Sequence, residues 1–125
     1  MTNGDFVPAP GGIKEDLTIP MKKFHIAINV ADLASSVKDY SERLGSVPVV
    51  MVPNEYALWR TPTLNFSIRK EHSSPRGSLR HLGWEDDSAV QFTQETDVNG
   101  IVWEKFNEDL QKEEIKQIWP EAEVK

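Results

Sequence analysis

Apolar and polar residues alternate along FHIAINV: Phe24, Ile26, Ile28 and Val30 point one way, His25, Ala27 and Asn29 the other. A period of two is the signature of a strand with two unlike faces. One face is expected to be core and the other polar, with a histidine on it. ADLASSVKDYSERLG then changes period. Leu33, Val37, Tyr40 and Leu44 make a helical stripe, Asp32 suits the N-cap and Gly45 the residue after the last turn. This stripe is expected to cover the Phe24/Ile26/Ile28 face.

Three further strands are expected in VPVVMVP, in YALWRT after the Pro53–Asn54 turn, and in LNFSIRK after Pro62. In the last, Asn65, Ser67 and Arg69 alternate with Leu64, Phe66 and Ile68. LRHLGWE follows a polar loop and sets His81, Gly83 and Glu85 opposite Leu82 and Trp84. AVQFTQET is a weaker strand, DVNG a turn and IVWEKF another strand. NEDLQKEEIKQIWP reads as a closing helix capped by Asn107 and stopped by Pro120, burying Leu110, Ile115, Ile118 and Trp119. The order β-α-β-β-β, then β-β-β-α, predicts an α+β domain with a mixed, mostly antiparallel sheet carrying one polar, concave face.

Residues 1–22 hold most of the early prolines and glycines without apolar periodicity, and are expected to be a tail before a domain over residues 23–125. Met21, just before the first strand, is a possible natural start. The tail lacks the basic region and apolar core of a signal peptide.

Length supports one domain: 125 residues, 38% apolar and 27% charged. No run approaches the roughly 18 apolar residues of a membrane span. A formal charge of −6 with dispersed lysines and arginines argues against nucleic acid as partner. The absence of cysteine excludes disulfides, thiolate metal sites and thiol nucleophiles, and suits a cytoplasmic location.

Against this background His25, His81 and Glu104 stand out, each inside a strand segment. Taken singly, each histidine is better read as a surface or partly satisfied residue, and Glu104 as a solvated strand residue. Together they form a two-histidine, one-carboxylate set. Such a set suits iron(II) or manganese(II), with zinc or nickel as alternatives, and leaves positions open for water, a chelating substrate and dioxygen. Asn65, Ser67, Arg69, Asn29, Trp59 and Tyr56 are the candidate substrate-binding residues. Arg69 would favour an anionic ligand and Trp59 would stack on an aromatic one. His72, beyond a strand end, is a loop residue and a substitute ligand. Trp84, Trp103 and Trp119 are assigned to packing.

FHIAINVADLASSVKDYSERLGSVP resembles the opening of the vicinal oxygen chelate superfamily, which includes glyoxalase I, extradiol dioxygenases and bleomycin-resistance proteins. His25, Asp32–Leu33, Ser36, Tyr40 and Leu44–Gly45 carry the likeness. RHLGWE resembles the start of that family's second module. DVNGIVWEKF is similar to its D-x-x-G-x-x-x-E ending, with Asp97, Gly100 and Glu104 in register. The resemblance implies a glyoxalase-like βαβββ module, a metal held by His25, His81 and Glu104, and a small ligand with vicinal oxygens. Only 23 residues separate His81 from Glu104, against 56 between the histidines. The second module is therefore expected to be truncated, lacking its helix and about one strand, with the closing helix taking the lost helix's place. Glyoxalase I-type sites add a carboxylate near Ser67, which this chain lacks, so isomerase chemistry is disfavoured. Arsenic-handling relatives look similar in the HLG segment but use cysteine thiols. The expected function is that of a metal-dependent glyoxalase or dioxygenase-type enzyme or lyase. The alternative is a non-enzymatic binding or sequestering protein of the same fold. A homodimer is plausible for either, because truncation can leave sheet surface exposed.

Overall fold

The computed structural model describes residues 21–124. Most of the expected tail therefore lies outside the described residues. Seven strands form one mixed sheet: β1 (Lys22–Val30), β2 (Val50–Val52), β3 (Tyr56–Arg60), β4 (Leu64–Lys70), β5 (Leu79–Asp86), β6 (Thr93–Thr96) and β7 (Val102–Phe106). Helix α1 (Leu33–Leu44) follows β1, and helix α2 (Glu108–Ile118) follows β7. The architecture is α+β, as the periodicities predict, and is consistent with a glyoxalase-like fold. No described helix is long and apolar enough to cross a membrane.

The sheet order is β2-β3-β4-β1-β5-β7-β6. β1 pairs with β4 in parallel and with β5 antiparallel, so β1 and β5 form the central seam. On the far side β5 pairs with β7 in parallel and β7 with β6 antiparallel. The plan of β1, β4 and β3 is thus repeated by β5, β7 and β6. The second set has neither a helix after its first strand nor a counterpart of β2.

Local chemistry explains the α1 boundaries. The Asp32 carboxylate accepts from the Ser35 amide at 2.9 Å, closing the first turn. Gly45 takes φ 65°, a left-handed conformation in which a side chain is strained, and ends the helix. Its stripe packs on Ala57, Trp59 and Ile68, with Val30, Ile28 and Phe66 alongside. Phe24 and Ile26 lie outside that cluster, contrary to the expected coverage. Phe24 instead meets Trp84 and Trp103, with ring centroids 5.2 and 6.2 Å apart. No described helix covers this part of the face, and Trp84 stays 40% and Leu79 41% exposed.

Helix α2 does not take the place of the missing helix. It packs on the opposite, histidine-bearing face of the first half, where Ile115 joins Val50, Tyr56 and Leu58 in a second core. Trp119 stacks on Tyr56 at 4.8 Å. Its inward positions are Gln111 and Ile115, while Leu110 is only partly buried and Ile118 is 44% exposed. The polar face is therefore roofed over the first half. His25, Asn29, Asn65, Ser67 and Glu85 are all buried on it.

Candidate metal centre

His25 projects from β1, His81 from β5 and Glu104 from β7. The register places His25 opposite Gly83, and Gly83 opposite Glu104. Gly83 is the bare middle of this row. A methyl group there would overlap the Glu104 carbonyl, so only glycine allows β5 and β7 to approach this closely. Glu104 reaches its place through the turn before β7. The Asp97 carboxylate accepts from the Asn99 and Ile101 amides and, at 2.8 Å, from the Trp103 indole. Gly100 takes φ 83° at the turn's corner.

The three side chains converge. His25 Nε2 lies 2.9 Å from His81 Nε2, and Glu104 Oε1 lies 3.1 Å from His81 Nε2 and 3.9 Å from His25 Nε2. Ligands at about 2.0–2.2 Å from one ion, at right angles to one another, stand roughly 3 Å apart. Two of the three edges match that spacing, and all three ligand atoms lie within 4.8 Å of one another.

Protonation suits the same role. The Asn65 side-chain oxygen accepts from His25 Nδ1 at 2.8 Å, and the Asn65 carbonyl lies 3.2 Å away. With its proton on Nδ1, His25 turns a lone pair on Nε2 toward the other two ligands. Burial holds the His25 pKa below its ordinary value, against the pull of these hydrogen bonds. Burial, helped by His25 and Arg80, takes His81 down to about 3. Both rings are neutral near pH 7, the form that binds a metal. Burial, with Glu114 adding repulsion, raises Glu104 to about 7. A carboxylate costly to ionise in the bare protein is one a cation would stabilise. The donors fit a divalent ion, and nothing in their geometry selects between iron, manganese, zinc and nickel.

A cavity of about 270 Å³ opens on the three ligands. Ser67 and Arg69 line it, as does Tyr56, whose phenol is hydrogen-bonded to Ser67 and pushed up by burial. Trp59 does not. Alternation along β3 turns it to the α1 side, where it is fully buried and its indole donates to the Ser46 carbonyl at 3.1 Å. Asn65 is buried beneath the cavity rather than in its wall, and acts by orienting His25. Its amide nitrogen donates to Glu85 at 2.7 Å and to Gln111 at 2.8 Å. Arg60 completes that network, donating to Glu85 at 2.9 Å and Gln111 at 2.7 Å. Asn29 donates to the Ser78 hydroxyl at 2.9 Å and is likewise no part of the wall. His72 is exposed outside the triad.

Several wall residues escape a reading by alternation. Gln94 donates to Glu104 Oε2 at 3.1 Å from the edge strand β6. Glu114 comes from α2, and Arg80 from β5. Arg80 neighbours His81 and should point to the other face. A bulge prevents this: Ala27 pairs with His81 but Ile28 pairs with Leu79, so Arg80 is an extra residue in β5. Bulges re-aim side chains in this way.

No family model matches the chain. A 73-residue stretch, 57% of the chain, is 32% identical to a trivalent organoarsenical cleaving enzyme of Bacillus sp. (strain MD1). The match spans 45% of that relative, so the chain covers less than half its length. It is a distant and partial likeness.

Proposed function

We propose that the protein is a metal-dependent enzyme of the vicinal oxygen chelate type, acting on a small molecule with adjacent oxygen atoms. The observation that carries this reading is the meeting of two neutral imidazoles and one carboxylate, from three strands, at the floor of one cavity. His25, His81 and Glu104 would hold the ion, with Asn65 fixing the His25 ring. Iron(II) or manganese(II) bound there supplies Lewis acidity to adjacent substrate oxygens. The protein supplies the rest. Ser67 and Arg69 offer a hydroxyl and a guanidinium to the ligand, while Val102, Ile115, Ile118 and Trp119 restrict water around it. Phe106 stands edge-on to His25 at 5.0 Å and backs the ring.

The organoarsenical relative supports the superfamily reading and does not carry its substrate across. Trivalent arsenic is a soft, thiol-seeking centre, and this chain has no cysteine.

Metal analysis tests the proposal. Protein prepared without chelators and offered iron, manganese, nickel or zinc should retain close to one ion per chain. His25→Ala and Glu104→Gln should each weaken retention by about a hundredfold or more. Glu104→Gln should at the same time stabilise the metal-free protein at pH 8 by about 1–2 kcal/mol, since it removes a buried carboxylate held above its ordinary pKa. A wild-type chain that retains no ion sinks the proposal. Ligand binding indifferent to chelator and to Glu104→Gln would instead identify a sequestering protein.

A further inference from the structure

The arginines of the domain divide by what their guanidinium groups face. Arg60 is buried against Glu85 at 2.9 Å, with Glu108 at 3.8 Å, and is structural. Arg43 pairs with Asp39 on the outer surface of α1 at 3.0 Å. Arg69 and Arg80 differ: both line the cavity over the triad, and neither is in an ion pair among the described residues. Arg69 lies over the Trp119 ring at 5.1 Å, which holds it at the wall. Arg80 is half-buried and is brought there only by the bulge. In the metal-free protein Glu104 and Glu114 on the same cavity balance these two cations; an ion bound to the triad would upset that balance and favour entry of an anion.

Charge accounting agrees. With a divalent ion on the triad, the cavity gathers two charges from the ion and one from each arginine. Glu104 and Glu114 return one each, leaving an excess of two positive charges. A chelator that binds through one ionised oxygen cancels a single charge. A second anionic group on the same ligand would cancel the other. Planar guanidinium groups match the oxygen pair of a carboxylate.

We propose that Arg80 and Arg69 form an oxyanion pocket beside the metal centre, and that the ligand is a vicinal-oxygen chelator bearing a separate carboxylate. This rests on the metal-centre reading, and it assigns a ligand-binding role to Arg80, which alternation along β5 hides. The bulge at Arg80 is then a specificity device rather than an irregularity.

Calorimetric titration of manganese-loaded protein tests it with three probes that share chelating oxygens: protocatechuate, its uncharged amide, and catechol. Protocatechuate should bind at least about tenfold more tightly than the amide. Arg80→Met should cut that preference below about threefold while manganese stoichiometry and catechol affinity hold, and Arg80→Lys should restore part of it. Equal binding of acid and amide by fully loaded wild-type protein overturns the proposal and leaves the metal centre standing. Failure to load manganese overturns the reading beneath it. Should Arg80→Met not fold, the wild-type comparison decides, with Arg69→Met as the second variant. Inorganic phosphate provides the last arm. If it binds the loaded protein more tightly than protocatechuate does, the pocket serves phosphate oxyanions and the carboxylate assignment falls.

Discussion

His25 and His81 occupy equivalent places in two strand sets of the same plan, and among the described residues only His25 has a side chain hydrogen-bonded to its Nδ1. In the first set His25 is level with Asn65 and Ala27 with Ser67. In the second, Gly83 is level with Glu104 and, by continuation of that register, His81 with Val102. The sets have therefore divided the labour. The first carries an orienting amide where the second carries an apolar wall. The second carries the Glu104 carboxylate where the first carries the Ser67 hydroxyl. A symmetric pair of modules would present two carboxylates; this chain presents one, with the room opposite left to Ser67, Arg69 and the roof of α2. The outer faces differ as well, since α1 covers the first set while Trp84 and Leu79 of the second remain exposed. Near-repeats of one backbone plan need not repeat its chemistry.

The sharpest break in this comparison is a methyl group at the seam. Gly83→Ala should destabilise the protein by about 3 kcal/mol and displace Glu104, because β5 and β7 must separate to admit it. The equivalent residue of the first set is Ala27, which is buried without such a clash. Ala27→Gly should cost only about 0.5–1 kcal/mol. Chemical denaturation of both variants checks the contrast, and equal losses would show that the halves tolerate change alike.

Next in size is the orienting amide. Asn65→Ala should weaken metal affinity by about 10–100-fold, because His25 loses the partner that selects its tautomer. Val102→Ala, at the equivalent position, should change it less than about threefold. Metal competition titrations compare the two. Asn65→Ala should also lower stability, since Glu85 and Gln111 lose a shared partner.

The smallest effect is in proton release. Glu104 has its folded pKa raised to about 7 from 4.5, so the metal-free native state holds a proton there that the unfolded chain lacks between these values. That stabilising contribution is present below pH 4.5 and is lost as pH rises through 7. His81, lowered to about 3 from 6.5, acts in the opposite sense: its contribution is lost as pH falls from 6.5 toward 3. Metal binding near pH 6 should therefore release about one proton, from Glu104, and near pH 8.5 almost none. Calorimetry in buffers of different ionisation enthalpy measures the count. Release of two or more protons at pH 6 would show that the histidines of both halves titrate as ordinary surface groups.

Much of this protein is legible in its chain because local rules govern it. Alternation in FHIAINV and LNFSIRK, the Asp32 and Asn107 caps and the Gly45 stop locate β1, β4 and both helices. Strand ends shift most beside turns: β2 shrinks to Val50–Val52 and β6 to Thr93–Thr96, while β1 starts two residues early at Lys22. The ligand types are visible too, since histidines are few and His25, His81 and Glu104 sit in strands. What alternation cannot show is which face of the sheet is roofed. Gln111 looks like a solvated helix residue until its amide is seen closing on Asn65 and Arg60. Trp59 looks like a ligand platform until the register turns it beneath α1.

The strand and helix segments, their caps and the residues able to hold a metal are written in the chain, because these follow from neighbours within a turn or a pleat. Long-range packing sets the rest: three strands bring those residues together, α2 roofs the histidine face of the first half rather than replacing a lost helix, and a single extra residue in β5 turns Arg80 into the cavity. Those outcomes rest on register and packing between segments far apart in the chain, where a shift of one residue reverses the face a side chain serves.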